Sequence, residues 1–155
     1  MRQTARSILR RHRSSRRPCL LRTGNALLDL AFVLPILLAL TFGAVEYGYA
    51  LYVKHALQGA AREGARTAIV AGATSAQVQA AVDNAMLVAG FPQAKYTRPA
   101  TITPANFAAS AAGTQVKVEV KATWGTVGVH VLPQVMGGIN PAKELKSATT
   151  MRKEG

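Results

Sequence analysis

Asp29 and Glu46 are the only charged residues between positions 27 and 53, and positions 30–45 carry no charge at all. An ionised carboxylate beside such a run is costly unless it reaches water or meets a cation. The chemistry these two acids could do is therefore charge pairing or anchoring. Asp29 lies at the near end of the run, where an acid starting a helix gains from the positive end of the helix dipole. Glu46 lies at the far end, beside Tyr47, and reads as a carboxylate that snorkels to an interface.

The other reactive residue types form no constellation. The three histidines are His12, His55 and His130. They lack the spacing of metal ligands, and His130 falls in a strand-like alternation, where a structural or surface role is the simpler reading. Cys19 is the only cysteine, so no internal disulfide can form. Arg16-Arg17-Pro18 before it departs from the apolar-and-small pattern of a lipoprotein site. There is no Ser-His-Asp set, phosphate loop or paired-carboxylate motif. The expectation is a non-enzyme with no catalytic residue, metal, cofactor or small-molecule substrate.

The elements that position Asp29 and Glu46 are legible from charge and hydropathy. Eight arginines (Arg2, Arg6, Arg10, Arg11, Arg13, Arg16, Arg17 and Arg22) and no acid precede Gly24. The remaining 11 basic and 7 acidic residues leave +4 of the net +12, so the high isoelectric point belongs to this leader. Basic residues within about 15–20 positions of a span stay cytoplasmic, and anionic membrane lipid is a natural partner for the arm. Nucleic acid is a poorer one, because the arm has no aromatic residue to stack on bases and an apolar helix follows at once. A bilayer core needs roughly 20 helical residues. The run from 30 to 45 reaches that length with Tyr47, Tyr49 and Tyr52, residues suited to a membrane–water interface. Pro35 inside it removes one backbone donor and reads either as a mild kink or as a bend in a packed bundle.

The helical pattern continues beyond the span. Arg62-Glu63-Gly64-Ala65-Arg66 reads as a solvated face with an i,i+3 pair between Glu63 and Arg66. Ala56, Ala60, Gly64, Ala68 and Gly72 recur every four residues, a stripe that permits close backbone approach. Ala71-Gly72-Ala73-Thr74 breaks the helix, and Ser75 is a candidate cap for a second helix over 76–89. Alternation predicts a strand at 115–122, with Val116, Val118 and Val120 on the buried face. Residues 101–103, 127–132 and 145–151 read as further strands, with 124–126 as a turn or bulge. The expected fold class is α+β: a long N-terminal transmembrane helix followed by a small domain with a helix against an antiparallel sheet. The expected division is a basic leader at 1–24, a transmembrane helix with a membrane-proximal extension at 25–70, and an extracytoplasmic domain at 71–155.

Across positions 22–68 the motif series resembles the TadE/TadF-like pseudopilins of the tight-adherence (Flp pilus) system. The series comprises Gly24, an acid five residues later, Ala31-Phe32-Val33-Leu34-Pro35, Glu46-Tyr47-Gly48 and Ala60-Ala61-Arg62-Glu63-Gly64-Ala65-Arg66. The ending Ser147-Ala148-Thr149-Thr150-Met151-Arg152 is also similar to the family. The resemblance implies cleavage between Gly24 and Asn25 by a prepilin peptidase. It implies Asp29 as the assembly charge that pairs with the new N-terminal amine of a neighbouring subunit. The implied partners are that peptidase, other pilins and pseudopilins, the Tad secretion machinery and membrane lipid. The implied location is the bacterial inner membrane, with the N-terminus cytoplasmic and the C-terminal domain periplasmic, or the pilus after processing. The family usually carries glutamate where this chain has Asp29, and many pilins begin with an apolar residue where this chain has Asn25.

Two other readings stand beside it. One is an unprocessed single-pass protein with a periplasmic partner-binding domain. The other is a secreted soluble protein, for which Gly48-Tyr49-Ala50 would serve a signal peptidase and Ser15-Arg16-Arg17 resembles a twin-arginine signal. Glu46 would then sit inside the recognition region, and the helix pattern continues past Ala50.

Overall fold

The computed structural model describes residues 21–134 and 137–154. The leader residues up to Leu20, including Cys19 and His12, lie outside them. Helix α1 is Leu21–Ala68 and contains Pro35. In the turn that follows it, Gly72 takes a left-handed φ of 77°, a conformation open to glycine. Helix α2 is Ser75–Val88.

Its N-cap is Thr74 rather than the expected Ser75. The Thr74 hydroxyl accepts from the Gln77 backbone N–H at 3.3 Å, and the Gln77 side chain accepts from the Thr74 N–H at 2.9 Å. Two otherwise orphaned donors are thus satisfied reciprocally. The signature Thr74-Ser75-Ala76-Gln77 is present in the sequence, and the hydroxyl one position later obscured it.

Three strands follow: β1 (Thr101–Thr103), β2 (Gln115–Thr123) and β3 (Glu144–Arg152). They form an antiparallel sheet in the order β1-β2-β3, with Val118 opposite Ile102 on one side and Thr149 on the other. Val116, Val118, Val120 and Ala122 point into the core. On the other face Glu119 sits between Lys117 at 3.0 Å and Lys121 at 3.4 Å. The α+β class with an antiparallel sheet is as expected.

The core also recruits α1. Val53, Leu57, Ala60, Ala61, Ala65 and Ala68 are buried in one cluster with Val78, Val82 and Met86 of α2 and the valines of β2. Two helices rather than one therefore cover the sheet. This answers how so short a segment can bury a core: the long helix lends it one face.

One expected strand is absent. Trp124–Val127 is a short helix, α3, and the described residues between 128 and 143 include no strand. The Trp124 N–H donates to the Lys143 carbonyl at 2.8 Å and the Gly125 N–H to the Pro141 carbonyl at 2.7 Å. These bonds draw the chain into a closed loop. Pro133 can donate to no ladder. β3 already occupies the free edge of β2 along its whole length. Val127 is buried whereas Val129 is exposed, so the alternation that suggested a strand has no common buried face.

Candidate functional site

The expected site residues fall into separate environments along α1. Near its start, the backbone at Gly24 and Asn25 is helical. Asp29 is exposed and lies eight residues into the helix, whose first turn holds no acid. It therefore does not act as the helix-start acid that the sequence alone suggested. Ala26–Ala68 contains a stretch long and apolar enough to cross a membrane, and its most apolar window is entirely unburied. Leu27, Phe32, Val33, Ile36 and Leu40 each expose more than half of their surface. A helix that is apolar all round and covered by nothing is what a lipid environment accommodates.

Glu46 behaves differently from expectation. Its exposure is 1 %. One carboxylate oxygen accepts from the Leu132 backbone N–H at 3.0 Å and the other from the Ile139 N–H at 2.8 Å. The carboxylate closes a contact across 86 and 93 positions of sequence and pins both limbs of the loop that follows α3. Among the described residues it takes part in no ion pair, so two amide dipoles carry its charge. It does not snorkel, because two backbone N–H donors hold it inside. Sequence reasoning had no access to this, since the partners are backbone groups of an irregular segment.

The tyrosines beside it split in role. Tyr47 is exposed and nothing lies within 4 Å of a methyl placed on Gly48. Tyr49 packs edge-on to the buried Trp124 at 6.2 Å, and Trp124 lies 6.3 Å from the His130 ring. Tyr52 packs on Phe91 at 5.8 Å and donates its hydroxyl to the Ala89 carbonyl at 2.9 Å. Two of the three rings thus hold the domain to α1.

Farther along, Arg62, Glu63 and Arg66 are exposed as a solvated face. The three ion pairs among the described residues lie elsewhere, so the Glu63–Arg66 pair does not form. The buried member of this motif is Gly64. A Cβ there would lie 2.7 Å from Val82 Cγ2 and 3.1 Å from Val118 Cγ1. The small-residue stripe is used at this point within the chain, for the crossing of α1 with α2 and β2.

Two polar clusters escaped the sequence reading. Asp83 on α2 accepts from Gln79 at 2.6 Å, Tyr96 at 2.5 Å and Arg98 at 2.6 Å, with Gln93 at 3.2 Å. Burial disfavours its charge, but the bonds from Tyr96, Gln79 and Arg98 and the Arg98 charge outweigh that and hold its carboxyl below the usual range. Burial and the Asp83 contact push the Tyr96 hydroxyl well above the ordinary tyrosine range. A depressed acid adds stability that is present above its unfolded pKa and lost as pH falls through the folded one. Asp83→Asn is therefore expected to lower Tm at neutral pH and to flatten the loss of stability below about pH 4, which thermal melts across an acid series would read. The second cluster is Lys153, whose ammonium donates to the carbonyls of Phe107, Ala108 and Ser110 at 2.9, 2.6 and 2.9 Å. It ties the chain end to the 3₁₀ turn Phe107–Ala109.

No group of three histidine, cysteine or acidic side chains able to hold a metal occurs among the described residues. The features present are suited to anchoring and packing. Against known proteins, residues 24–66 match the family model of TadE-like protein. The resemblance carried by the motif series is thereby shown over that segment, which begins at Gly24 and ends at Arg66. No curated protein and no solved structure matches the chain.

Proposed function

We propose that this chain, with its TadE-like segment at residues 24–66, is a minor pseudopilin that takes part in assembling tight-adherence (Flp) pili. The observation that carries the reading is where that segment begins, at the Gly24-Asn25 junction between the arginine leader and an uncovered apolar helix. In this reading a prepilin peptidase removes the first 24 residues. The helix anchors the mature chain with its arginine side in the cytoplasm and the domain outside the inner membrane. Asp29, exposed on α1, is then the fifth residue of the mature chain. It pairs there with the amine of a neighbouring subunit, since both charges are costly at the edge of an apolar bundle unless matched.

N-terminal sequencing of the membrane-bound protein, with and without the cognate peptidase, tests the processing step. A chain that starts at Met1 in both cells refutes it. The assembly step is read by pilus counts in Asp29 variants. Asp29→Asn is expected to abolish or strongly reduce piliation while membrane insertion is kept. Asp29→Glu, which keeps the charge and adds one methylene of reach, is expected to support assembly. Normal piliation with Asp29→Asn would remove Asp29 from the mechanism.

One observation favours a second reading. Helix α1 runs without a break through Gly24-Asn25 from Leu21, and a helical backbone is not presented for cleavage. An unprocessed single-pass protein with a partner-binding domain has this continuity. The same sequencing experiment separates the two.

A further inference from the structure

Positions 122–142 form a second long stretch without a lysine, arginine, aspartate or glutamate. Its irregular part is held against α1 at Gly43 and Glu46, with exposed apolar residues of the helix on either side, at Phe42, Val45, Tyr47 and Leu51. A methyl on Gly43 would lie 3.5 Å from Leu132 Cδ1, and Glu46 takes the N–H groups of Leu132 and Ile139. The neighbouring side chains on this part of α1 are Phe42 and Val45, which are 41 % and 55 % exposed. The loop itself presents Val129, His130, Pro133 and Gln134 to the outside.

Helix length decides what covers this surface. From Asp29 to Glu46 the chain advances 17 residues, about 25 Å at 1.5 Å per residue. A bilayer core is about 30 Å thick. The uncharged run 30–45 is shorter than that, and exposed apolar side chains continue past it at Tyr47 and Leu51. The loop packed on Gly43 and Glu46 therefore lies within the length of α1 that presents apolar surface.

We infer that the loop at 128–134 and 137–139 dips into the bilayer leaflet on the domain's side, with Glu46 as the internal acceptor that makes an irregular backbone tolerable there. The inference rests on the reading of α1 as a membrane anchor. Non-helical backbone at membrane depth is accommodated only where its polar groups are satisfied within the protein. Four N–H groups of the loop meet that condition. The Leu132 and Ile139 N–H groups go to Glu46. The Gly137 and Gly138 N–H groups go to the carbonyls of Gln134 and Pro133, and Pro133 has no N–H to satisfy. The arrangement also accounts for an acid at this depth: its charge is shielded from lipid and spent on backbone donors.

The test uses the full chain in liposomes, with Cys19→Ser and one introduced cysteine carrying an environment-sensitive fluorophore. Lipids with a nitroxide high or low on the acyl chain serve as quenchers. The positions are Leu40→Cys on the exposed span, Val129→Cys or Gln134→Cys on the loop, and Ala112→Cys. Ala112 is exposed at the opposite end of the domain, beside Gly113, which bonds to Lys153.

Expected is a loss of emission at Leu40→Cys and at both loop positions, with the shallow nitroxide the stronger quencher at the loop, and none at Ala112→Cys. Quenching at Leu40→Cys with both loop positions as bright as Ala112→Cys overturns the inference and leaves the anchor reading standing. A loop label shielded from lipid and from an aqueous quencher alike also overturns it, since a protein partner then covers the loop. Absence of quenching at Leu40→Cys removes the anchor reading itself and the inference with it.

Discussion

Replacing Glu46 with alanine is expected to detach the loop after α3 from helix α1 and to cost about 3–6 kcal/mol, from two hydrogen bonds to a charged acceptor at about 1.5–3 kcal/mol each. The Leu132 and Ile139 N–H groups lose the Glu46 acceptor in the same step. A small domain has about 5–15 kcal/mol of total stability, so the variant should be marginal. Trp124, Val127 and Ile139 are buried beside this staple, and their packing should loosen with it. Hydrogen exchange of the full chain in detergent micelles would read the change at the Leu132 and Ile139 amides, and near-ultraviolet circular dichroism would follow the single tryptophan. Glu46→Gln should recover only part of the loss. It keeps one oxygen, but its amide group turns donors toward whichever backbone N–H the other oxygen had served. Wild-type exchange rates at both amides in Glu46→Ala would mean that the carboxylate does not hold the loop.

Enlarging Gly64 is the second change with a large expected effect. Val82 and Val118 are fully buried and β-branched, so neither can rotate away cheaply. The Cβ of an alanine would lie 2.7 Å from Val82 Cγ2. Overpacking of this kind costs about 1–3 kcal/mol, offset by about 1 kcal/mol of helix propensity gained over glycine. Gly64→Ala is thus expected to be mildly destabilising. Gly64→Leu, with three further carbons at the same crossing, should exceed the upper end of that range. Gly59→Ala is the built-in control. It sits on the same helix with nothing within 4 Å of its Cβ, and it should stabilise the protein by up to about 1 kcal/mol. Thermal melts of the three variants side by side give the comparison. A Gly64→Leu variant melting like wild type would contradict the close crossing of α1, α2 and β2.

These two residues show where sequence reading succeeds and where it stops. Glu46 and Gly64 both belong to the motif series that carried the family resemblance, so their importance was visible. Their work was not. Glu46 was read by its distance from the apolar run, which is a local property, and local reasoning sends a carboxylate to the nearest interface. Its partners lie 86 and 93 positions away and are backbone amides, which carry no side-chain signature. Gly64 was read as part of a stripe for helix contact. The stripe cannot say whether the approaching backbone belongs to the same chain.

Periodicity served best where one rule acted alone. Strand β2 was legible because its valines alternate with Lys117, Glu119 and Lys121 against a single core. The segment after it failed for an equally physical reason. Val127, Val129 and Val131 also alternate, but the ladder edge they would need is filled by β3. The bonds from Trp124 and Gly125 to Lys143 and Pro141 close the loop instead.

By itself the sequence determined the apolar span, the charge asymmetry around it, the α+β class and the TadE-like series, because each is a pattern of composition or short spacing that the chain carries whatever it packs against. Only the tertiary structure decided that α1 serves both as the uncovered apolar helix and as the spine of the domain. It likewise decided that Glu46 is a buried staple and that Asp83 and Lys153 organise polar clusters. Those outcomes depend on which distant backbone groups arrive beside a side chain, and burial and hydrogen bonding between remote segments leave no period in the sequence.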